Sequence, residues 1–573
     1  MSDERIEPSG YLQQPAPRRK MTGGRFIAET FKGYGVTHVF FVEAIARLAL
    51  VEMEALGIER VLAHSEKAAA YMADGYARVS RKPGICMAQS VGAANLASGL
   101  QDPYLGLSPI IALTGFKPGV LQYRNAYQEI NHHAMFEPVT KFNAQVGILE
   151  QLPYLLRQAF REATSGKPRP VHLDLAGYSG NIMAESEGEM EVLIEESFKS
   201  VPANRPSPDE EKVKAVAGFI REAARPIFVA GGGAKASGAG PEIVKLAEML
   251  SIPVVTSLSG KGVMVENHPL CVGVVGSYSR WCANRLVSEA DLVIYIGSQT
   301  GDQVTNTWKV PKPGTRVIQI DIDPSELGRS YPNIVGLAGD AKKSLQSLLK
   351  YVDPNAKKGD WGQHAMKVVA EWWKEYEPLC ASSAKPIRPE RLCGEVTAGL
   401  PANAILVADT GFSGVWTGAL VPMNHPDQIY LRAAGSLGWA FPASLGAKCA
   451  APERPVVCFT GDGGFWYHLA ELETAVRCGI KTVTIVNNNF GLGQCLPHVK
   501  VAYKNRTGNK DALCMFRRSS FAALAQDMGC FGIRVEEPGD IAAALKSALE
   551  ADAPAVVEVV TDINYEAPSP WAP

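Results

Sequence analysis

Short apolar runs and segments with helical periodicity alternate along most of the chain. Near the N-terminus, GGRFIAETFKGYG has the spacing of a helix closed by glycine, VTHVFFV is typical of a strand, and EKAAAYMADGYARVS predicts a second helix. Three more strands are predicted at GICMAQ, PIIALTG and RPVHLDL. This alternation predicts a parallel sheet with helices on both faces, in a first domain of residues 21–185.

The same pattern occurs twice more. After a polar segment, a central domain of residues 206–352 has predicted strands at PIFVAGGG, PVVTS, DLVIYIG and RVIQIDID. After a charged, tryptophan-bearing segment, a third domain of residues 385–565 has predicted strands at AILVAD, PVVCFTG, KTVTIVN and AVVEVV. The predicted fold class is therefore α/β, with three domains that each contain a mostly parallel sheet flanked by helices. Residues 1–20 are polar and contain proline, which predicts a flexible tail.

Composition adds limits on partners and compartment. The chain has 573 residues, of which 46% are hydrophobic and 20% charged, as in globular proteins of several domains. The 57 Lys and Arg nearly balance the 59 Asp and Glu, so charge favours a small-molecule partner over nucleic acid or a membrane surface. The 11 cysteines form no CxxC motif, and no apolar run has the length of a membrane span, which together predict a cytoplasmic protein.

The stretch VVCFTGDGGFWY carries the strongest chemical signal. An apolar strand ends at Asp462, a segment with helical spacing follows, and the next strand ends in NNNFG at Asn489. Ligands bind at the carboxyl ends of parallel strands, and carboxylate, amide and carbonyl oxygens suit Mg²⁺ or Ca²⁺ better than zinc. The backbone N–H groups of Gly463 and Gly464 can bind phosphate oxygens, so a diphosphate site is predicted. For GDG alone, a glycine turn with a helix-capping aspartate is the commoner explanation.

This GDG-to-NN arrangement resembles the thiamine diphosphate motif, and the order of the three domains from Met21 to Asp562 is similar to the acetolactate synthase-like family. The resemblance implies thiamine diphosphate and Mg²⁺ as cofactors, with Asp462, Asn489 and the Gly491 carbonyl as metal ligands. It also implies that Glu66, in HSEKAAAYMADGYAR, hydrogen-bonds N1′ of the aminopyrimidine and so favours the tautomer that accepts a proton.

Other segments that resemble this family imply further cofactor contacts. In AAGSLGWAFPASLGAKCA, Leu437 corresponds to the bulky residue that bends the cofactor, and the Gly435 carbonyl and Leu437 N–H are the expected pyrimidine contacts. In ADTGFSGVW, Gly411 and Ser413 correspond to the loop that contacts the diphosphate. In the family the two ends of the cofactor are held by different subunits, which implies a homodimer or homotetramer with sites at the subunit interface.

Three segments depart from the family pattern. In FFVEAIAR, Glu43 and Ala44 replace a proline and a glycine, so Glu43 either lies near the reactive carbon of the cofactor or caps the next helix. AYQEINHHAMFEPVTKF resembles the substrate-side stretch of the family, in which Gln128 matches, but it has His132 and His133 where apolar or small residues are common. All three are substrate-side candidates, although each histidine is equally well explained as a buried structural residue.

In the central domain, Gln299 and Gln303 replace arginines that bind FAD or ADP in relatives, with Arg280 as a substitute anchor. Whether FAD or ADP binds there is open.

The predicted function is a C–C bond forming or cleaving enzyme that depends on thiamine diphosphate and Mg²⁺. It would act as a carboligase, lyase or decarboxylase on a 2-oxo acid, acyloin or diketone. One alternative is an enzyme of the 2-hydroxyacyl-CoA lyase or oxalyl-CoA decarboxylase type, which the short C-terminal tail DINYEAPSPWAP disfavours mildly. The other is a non-catalytic subunit that binds thiamine diphosphate, against which the retained Glu66 argues.

Overall fold

A computed structural model describes residues 17–504 and 506–573. The chain divides into two compact units, the first made of residues 1–204 with 445–451 and the second of residues 205–444 with 452–573. Most of the predicted N-terminal tail, residues 1–16, lies outside the described residues. Within the described part of the chain, no helix is long and apolar enough to cross a lipid bilayer.

The first unit contains a parallel six-stranded sheet with strand order β3-β2-β4-β5-β7-β6, and β1 pairs antiparallel with β8. Its strands are β1 Arg19–Thr22, β2 His38–Phe41, β3 Glu59–Leu62, β4 Gly84–Met87, β5 Ile110–Phe116, β6 Phe142–Val146, β7 Val171–Ala176 and β8 Glu187–Met190. Its helices are α1 Gly23–Gly33, α2 Arg47–Ala55, α3 Glu66–Ser80, α4 Gly92–Gly106, α5 His132–Phe136, α6 Leu152–Thr164 and α7 Asn181–Glu185. Strands β4, β5 and β7 are buried along their whole length, as expected for a sheet covered on both faces.

The second unit contains two parallel six-stranded sheets. The central sheet, ordered β11-β10-β9-β12-β13-β14, consists of β9 Pro226–Ala230, β10 Val254–Thr256, β11 Cys271–Val274, β12 Leu292–Ile296, β13 Arg316–Asp321 and β14 Asn333–Ala338. The C-terminal sheet, ordered β16-β15-β17-β18-β20-β19, consists of β15 Ile405–Ala408, β16 Ile429–Arg432, β17 Val456–Gly461, β18 Val483–Asn488, β19 Phe531–Val535 and β20 Ala555–Val560. The predicted α/β class with three mostly parallel sheets is confirmed.

Helices flank both of these sheets. Those around the central sheet are α8 Glu210–Glu222, α9 Gly232–Ser237, α10 Gly240–Leu250, α11 Trp281–Glu289, α12 Asp302–Thr305 and α13 Ala341–Leu348. The remaining helices are α14 Gly359–Cys380, α15 Pro389–Gly399, α16 Phe412–Leu420, α17 Ala440–Ala450, α18 Asp462–Trp466, α19 Glu471–Arg477, α20 Leu496–Tyr503, α21 Phe521–Asp527 and α22 Ile541–Glu550.

Buried charged side chains join the central sheet region to the C-terminal one. Glu266 pairs with Lys261 and with Arg280, whose Nη2 lies 2.8 Å from Oε2 of Glu266. Lys261 also donates to the Gly418 carbonyl at 3.1 Å, and Nε of Arg280 donates to the Ala419 carbonyl at 2.8 Å. Each charge has a partner of opposite charge and a backbone contact. These interactions offset the free-energy cost of removing the three charged groups from water.

Candidate active site

The predicted metal ligands lie together at the carboxyl end of the C-terminal sheet. Strands β17 and β18 are neighbours, and Gly461 pairs in register with Asn487, so Asp462 and Asn489 follow adjacent strand ends. Asp462 is the first residue of α18 and is 2% exposed, and its Oδ2 atom is buried without a hydrogen-bond partner in the described part of the chain. A buried carboxylate oxygen without a partner is costly in water-free surroundings, and a bound cation would remove that cost.

Burial raises the pKa of the Asp462 carboxyl to about 7, against the smaller opposing effect of nearby backbone N–H groups, those of Gly463 and Gly491 first. The loop after β18 is fixed by its own contacts, since the Gly491 N–H donates to Oδ1 of Asn489 at 3.2 Å. Residue 515 forms an antiparallel bridge with Gly491, and the Leu492 N–H donates to the Cys514 carbonyl at 2.8 Å. The three predicted ligands are therefore held on two short, braced loops.

Gly463 and Gly464 are buried and closely packed at the start of α18. A Cβ atom at Gly464 would lie 2.7 Å from Oδ2 of Asp409 and 2.7 Å from Oγ1 of Thr460, and one at Gly463 would lie 2.6 Å from a methyl carbon of Leu492. A side chain at Gly464 would therefore displace Asp409 or Thr460, whereas one at Gly463 would displace the mobile end of Leu492.

Asp409 is a site residue that the sequence analysis missed. It follows β15 directly, is 1% exposed, and accepts hydrogen bonds from the Gly438 N–H at 3.1 Å and from the Thr460 hydroxyl at 3.0 Å. It thereby ties the loop containing Leu437 to the end of β17. The sequence could have indicated Asp409, because this residue directly follows a predicted strand, as Asp462 does.

The other predicted cofactor contacts lie around this end of the sheet. Gly411 has φ of +66° and precedes α16, and Ser413 is buried with its Oγ 3.6 Å from where a Cβ of Gly461 would be. Gly435, with φ of +155°, borders open space, and Leu437 in the same loop is half-buried. A glycine is required at Gly411 because an L side chain strains that backbone.

In the first unit, Glu66 begins α3. Its Oε2 accepts a hydrogen bond from Nδ2 of Asn95 at 3.1 Å, and a Cβ at Gly92 would collide with its Oε1 at 2.3 Å. Asn95 and Gly92 are both on α4, so this helix fixes the direction of the Glu66 carboxylate. Neither residue was singled out from the sequence.

Of the two predicted arrangements of Glu43, capping of the next helix is wrong, and a position near the reactive carbon of the cofactor stays a prediction. Glu43 forms a bidentate ion pair with Arg47, at 2.5 and 3.0 Å, and its side chain is 53% exposed. The hydrogen bond to Arg47 lowers the pKa of Glu43. It does not cap α2, whose N-cap is Ala46 with no side-chain hydrogen bond. Ala44 and Ala46 have φ of +82° and +40°, so the loop that replaces the glycine pattern of the family is strained.

The paired histidines have different environments. His132 is fully buried, and its Nδ1 lies 3.2 Å from both carboxylate oxygens of Asp174, whereas His133 is exposed. Within the first unit, His132 therefore has the contacts expected of a buried structural histidine. Gln128 has φ of +62°, and its carbonyl accepts the Ser90 hydroxyl hydrogen bond at 2.5 Å.

Asp174 belongs to a larger buried polar network, which we call the Asp174 network and define as Asn143, His172, Thr114, Asp174 and His132. The Thr114 hydroxyl donates to Asp174 at 2.7 Å and lies 2.6 Å from Nε2 of His172, and Nδ1 of His172 lies 2.8 Å from Oδ1 of Asn143. Burial lowers the pKa of His172 to about 3, so its ring is neutral at pH 7.

The glycines of the central domain have a packing explanation. The Gly233 N–H donates to the Gly297 carbonyl at 2.8 Å, and a Cβ at Gly231 would lie 2.3 Å from that same oxygen. Arg280, predicted as a substitute phosphate anchor, is fully buried and paired with Glu266, so that prediction is wrong.

Comparison with known proteins gives three matching family models. They are the thiamine pyrophosphate enzyme N-terminal TPP binding domain over residues 21–135, the central domain over residues 213–348, and the C-terminal TPP binding domain over residues 409–559. A probable acetolactate synthase large subunit of Methanococcus aeolicus is 34% identical over 88% of this chain and 85% of its own length.

Two further relatives cover nearly all of the chain. A probable acetolactate synthase large subunit of Methanocaldococcus jannaschii is 33% identical over 95% of this chain and 92% of its own length. A probable 2-ketoarginine decarboxylase of Pseudomonas aeruginosa is 30% identical over 92% and 91%.

Proposed function

The chain belongs to the thiamine pyrophosphate enzymes of the acetolactate synthase-like group, and from this membership we propose that it depends on Mg²⁺ and makes or breaks a C–C bond next to a carbonyl group. The substrate we propose is a 2-oxo acid, acyloin or diketone. When bound, thiamine diphosphate supplies a carbon that adds to the carbonyl and accepts the electrons of the bond that breaks.

The residues at the end of the C-terminal sheet suit the diphosphate end of this cofactor. We propose that Asp462, Asn489 and the Gly491 carbonyl hold Mg²⁺, and that the N–H groups of Gly463 and Gly464 bind phosphate oxygens. The buried Oδ2 of Asp462 is the observation that carries this proposal, because it has no partner among the described residues and a hard cation would supply one.

Glu66 would activate the cofactor from the first unit. Its carboxylate accepts a hydrogen bond from Asn95 and packs against Gly92. We propose that this orientation allows it to accept a hydrogen bond from N1′ of the pyrimidine. Positioned acid–base groups of this kind contribute roughly 10²- to 10⁴-fold to a rate. Glu66→Gln is therefore expected to retain cofactor binding and to slow proton exchange at the reacting carbon by about 10²-fold or more.

The decisive experiment is a calorimetric titration of thiamine diphosphate with Mg²⁺ into the apoprotein, followed by measurement of proton exchange at the reacting carbon by NMR. We expect Mg²⁺-dependent binding in the wild type and in Glu66→Gln, and loss of binding in Asp462→Ala. Binding that is unchanged by Asp462→Ala would contradict the metal assignment, and exchange at the free-cofactor rate would contradict the role of Glu66.

Simple decarboxylation of a 2-oxo acid is the second candidate, supported by the similarity to the Pseudomonas decarboxylase. Product analysis separates the two reactions, because a decarboxylase releases an aldehyde and a carboligase releases a longer hydroxy ketone or hydroxy acid.

We also propose that the protein is a homodimer or homotetramer with sites at subunit interfaces. Exposed apolar side chains cluster in the loops that follow β4, β5 and β7, including Val91, Val120, Tyr127 and Tyr123, which is 95% exposed. Apolar clusters of this kind mark interaction surfaces. If Glu66 and Asp462 act in one site from different subunits, mixing inactive Glu66→Gln and Asp462→Ala proteins restores about a quarter of the wild-type activity. No recovery after subunit exchange would contradict this arrangement.

A further inference from the structure

A cavity of about 650 Å³ opens beside the metal loops of the second unit. Its floor includes Gly463 and Leu492, and its walls include three aromatic side chains and one arginine, namely Trp466, Tyr467, Phe516 and Arg517. Trp466 and Phe516 are each 38% exposed and Tyr467 is 58% exposed. Aromatic surfaces left accessible in a concave site are typical of positions that bind an apolar ligand.

Two lining residues connect the cavity to the predicted cofactor residues. A Cβ at Gly463 would lie 2.6 Å from Leu492 and 3.5 Å from the Phe516 ring, so these residues converge beside Asp462. The Cβ of Tyr467 lies 2.7 Å from where a Cβ of Gly438 would be, next to Leu437. The cavity is therefore lined by Gly463, which is predicted to contact the diphosphate, and by Tyr467, which packs against the loop that contains Leu437.

The segment that carries Phe516 and Arg517 is fixed by its backbone. The Phe516 N–H donates to the Phe490 carbonyl at 2.8 Å, and the Cys514 carbonyl accepts the Leu492 N–H. The segment before Arg517 is therefore hydrogen-bonded to the loop that contains Asn489 and Gly491.

Arg517 is the one charged residue that lines the cavity in the described part of the chain, and it favours an anionic group there. It lies in a basic segment, since residues 496–519 contain six Lys and Arg and one Asp. In the described part of the chain, Arg517 forms neither an ion pair nor a side-chain hydrogen bond. Arg518 differs, because its guanidinium lies 5.0 Å from the centre of the Phe490 ring and it does not line the cavity. Arg517 therefore has donors to offer and Arg518 is a matched control.

We propose that this cavity is the substrate subsite, that its aromatic wall holds the apolar chain of the substrate, and that Arg517 binds a substrate carboxylate. This inference rests on the proposed function, since it assumes that thiamine diphosphate occupies the adjacent loops. The carboxylate is either the one next to the reacting carbonyl or one at the far end of the chain, and both present the same chemistry to a guanidinium.

The test uses enzyme loaded with Mg²⁺ and thiamine thiazolone diphosphate, whose reacting carbon is blocked, so that binding is measured without turnover. Three probes of similar size are titrated into wild type, Arg517→Gln and Arg518→Gln. Pentane-2,3-dione has no carboxylate, 2-oxopentanoate has one next to the carbonyl, and 2-oxoglutarate has a second at the far end.

We expect Arg517→Gln to weaken binding of the recognised acid by about 10-fold or more, to leave the dione unchanged, and Arg518→Gln to change neither. Equal weakening of both acids assigns the carboxylate next to the carbonyl, and weakening of 2-oxoglutarate alone assigns the distal one. Phe516→Ala is expected to weaken all three probes, because it removes the apolar wall.

Equal effects of the two arginine variants, or an equal loss for the dione, would overturn the role of Arg517. The same conclusion follows if neither acid binds to loaded enzyme. Failure of the wild type to bind the cofactor analogue would instead overturn the proposed function, so the two failures are distinguishable.

Discussion

Asp174 and Asp462 are both buried carboxylates in parallel sheets, yet their surroundings are opposite. Asp174, on β7, accepts a hydrogen bond from Thr114 and faces Nδ1 of His132. Asp462, directly after β17, has a buried Oδ2 without a partner in the described part of the chain. The first carboxylate has its partners within the fold, whereas one oxygen of the second has none among the described residues. Burial alone therefore does not distinguish the two acids, and the unpartnered oxygen of Asp462 is what supports its proposed role as a metal ligand.

The largest expected effect concerns the pH dependence of the Asp174 network. The unfolded chain protonates His172 near its ordinary pKa of about 6.5, whereas the folded chain does so only near 3. Its contribution to stability is therefore complete above pH 6.5 and falls as the pH drops toward 3, by on the order of 5 kcal/mol in all.

Native-state hydrogen exchange of β5 and β7 amides at pH 7 and pH 5 measures this loss in the first unit. His172→Phe is the control, because it has no titrating ring at that position. If wild type and His172→Phe lose stability in parallel as the pH falls, the assigned cause is wrong.

The next prediction compares the two aspartates directly. Asp174→Asn is expected to lower the free energy of unfolding by about 3 kcal/mol, because it disrupts a buried, paired network. Asp462→Asn is expected to leave the stability of the apoprotein unchanged or to raise it, because burial disfavours the charged form of this carboxyl and raises its pKa to about 7. Urea unfolding of both apoproteins checks this, and equal destabilisation would break the comparison.

The effects of the two substitutions on cofactor affinity are expected to be in the opposite order to their effects on stability. Asp462→Asn is expected to weaken thiamine diphosphate binding in the presence of Mg²⁺ by about 100-fold, since it removes the negative charge of a proposed metal ligand. Asp174→Asn is expected to leave that affinity within about 2-fold, because the structure gives Asp174 partners within the first unit only. Isothermal titration of the two variants measures both values, and a comparable loss in Asp174→Asn would show that the network supports the cofactor site.

The smallest effect concerns single hydroxyl groups. Thr114→Val preserves the shape of the side chain but removes the donor to Asp174, and we expect a loss of about 2 kcal/mol. Thr30→Val is the matched control, because the buried Thr30 hydroxyl has no hydrogen-bond partner in the described residues. That control is expected to be neutral or stabilising. Equal losses in the thermal unfolding of the two variants would contradict the importance of the Thr114 contact.

The strands that were predicted from the sequence and the strands that were missed occupy different positions in the sheets. All twelve interior strands of the three sheets were predicted, and all six edge strands, β3, β6, β11, β14, β16 and β19, were not. Interior strands are covered on both faces and appear as continuous apolar runs, as in the fully buried β5. Edge strands β6 and β19 are only partly buried, so their residues lack that signal. Burial does not explain why β11 was missed, because all four of its residues are buried.

Site residues divide in a similar way. Asp462 and Asn489 could be predicted because strand ends place them together. The Asp174 network could not, because Thr114 and Asp174 are 60 positions apart and meet only in the sheet. The burial of Arg280 could not be predicted from the sequence either, because its partner Glu266 precedes it by 14 positions and no local sequence pattern connects the two residues.

The Lys261, Glu266 and Arg280 cluster limits how this chain can be recombined with its relatives. Its charges neutralise one another within residues 261–280, and only backbone carbonyls, those of Gly418 and Ala419, accept hydrogen bonds from it across the boundary to the C-terminal sheet. A chimaera that replaced all of residues 206–352 would exchange the three charged residues together and would keep a carbonyl at positions 418 and 419. A crossover placed between Lys261 and Arg280 would instead separate charges that are buried together, so a viable exchange keeps residues 261–280 from one parent.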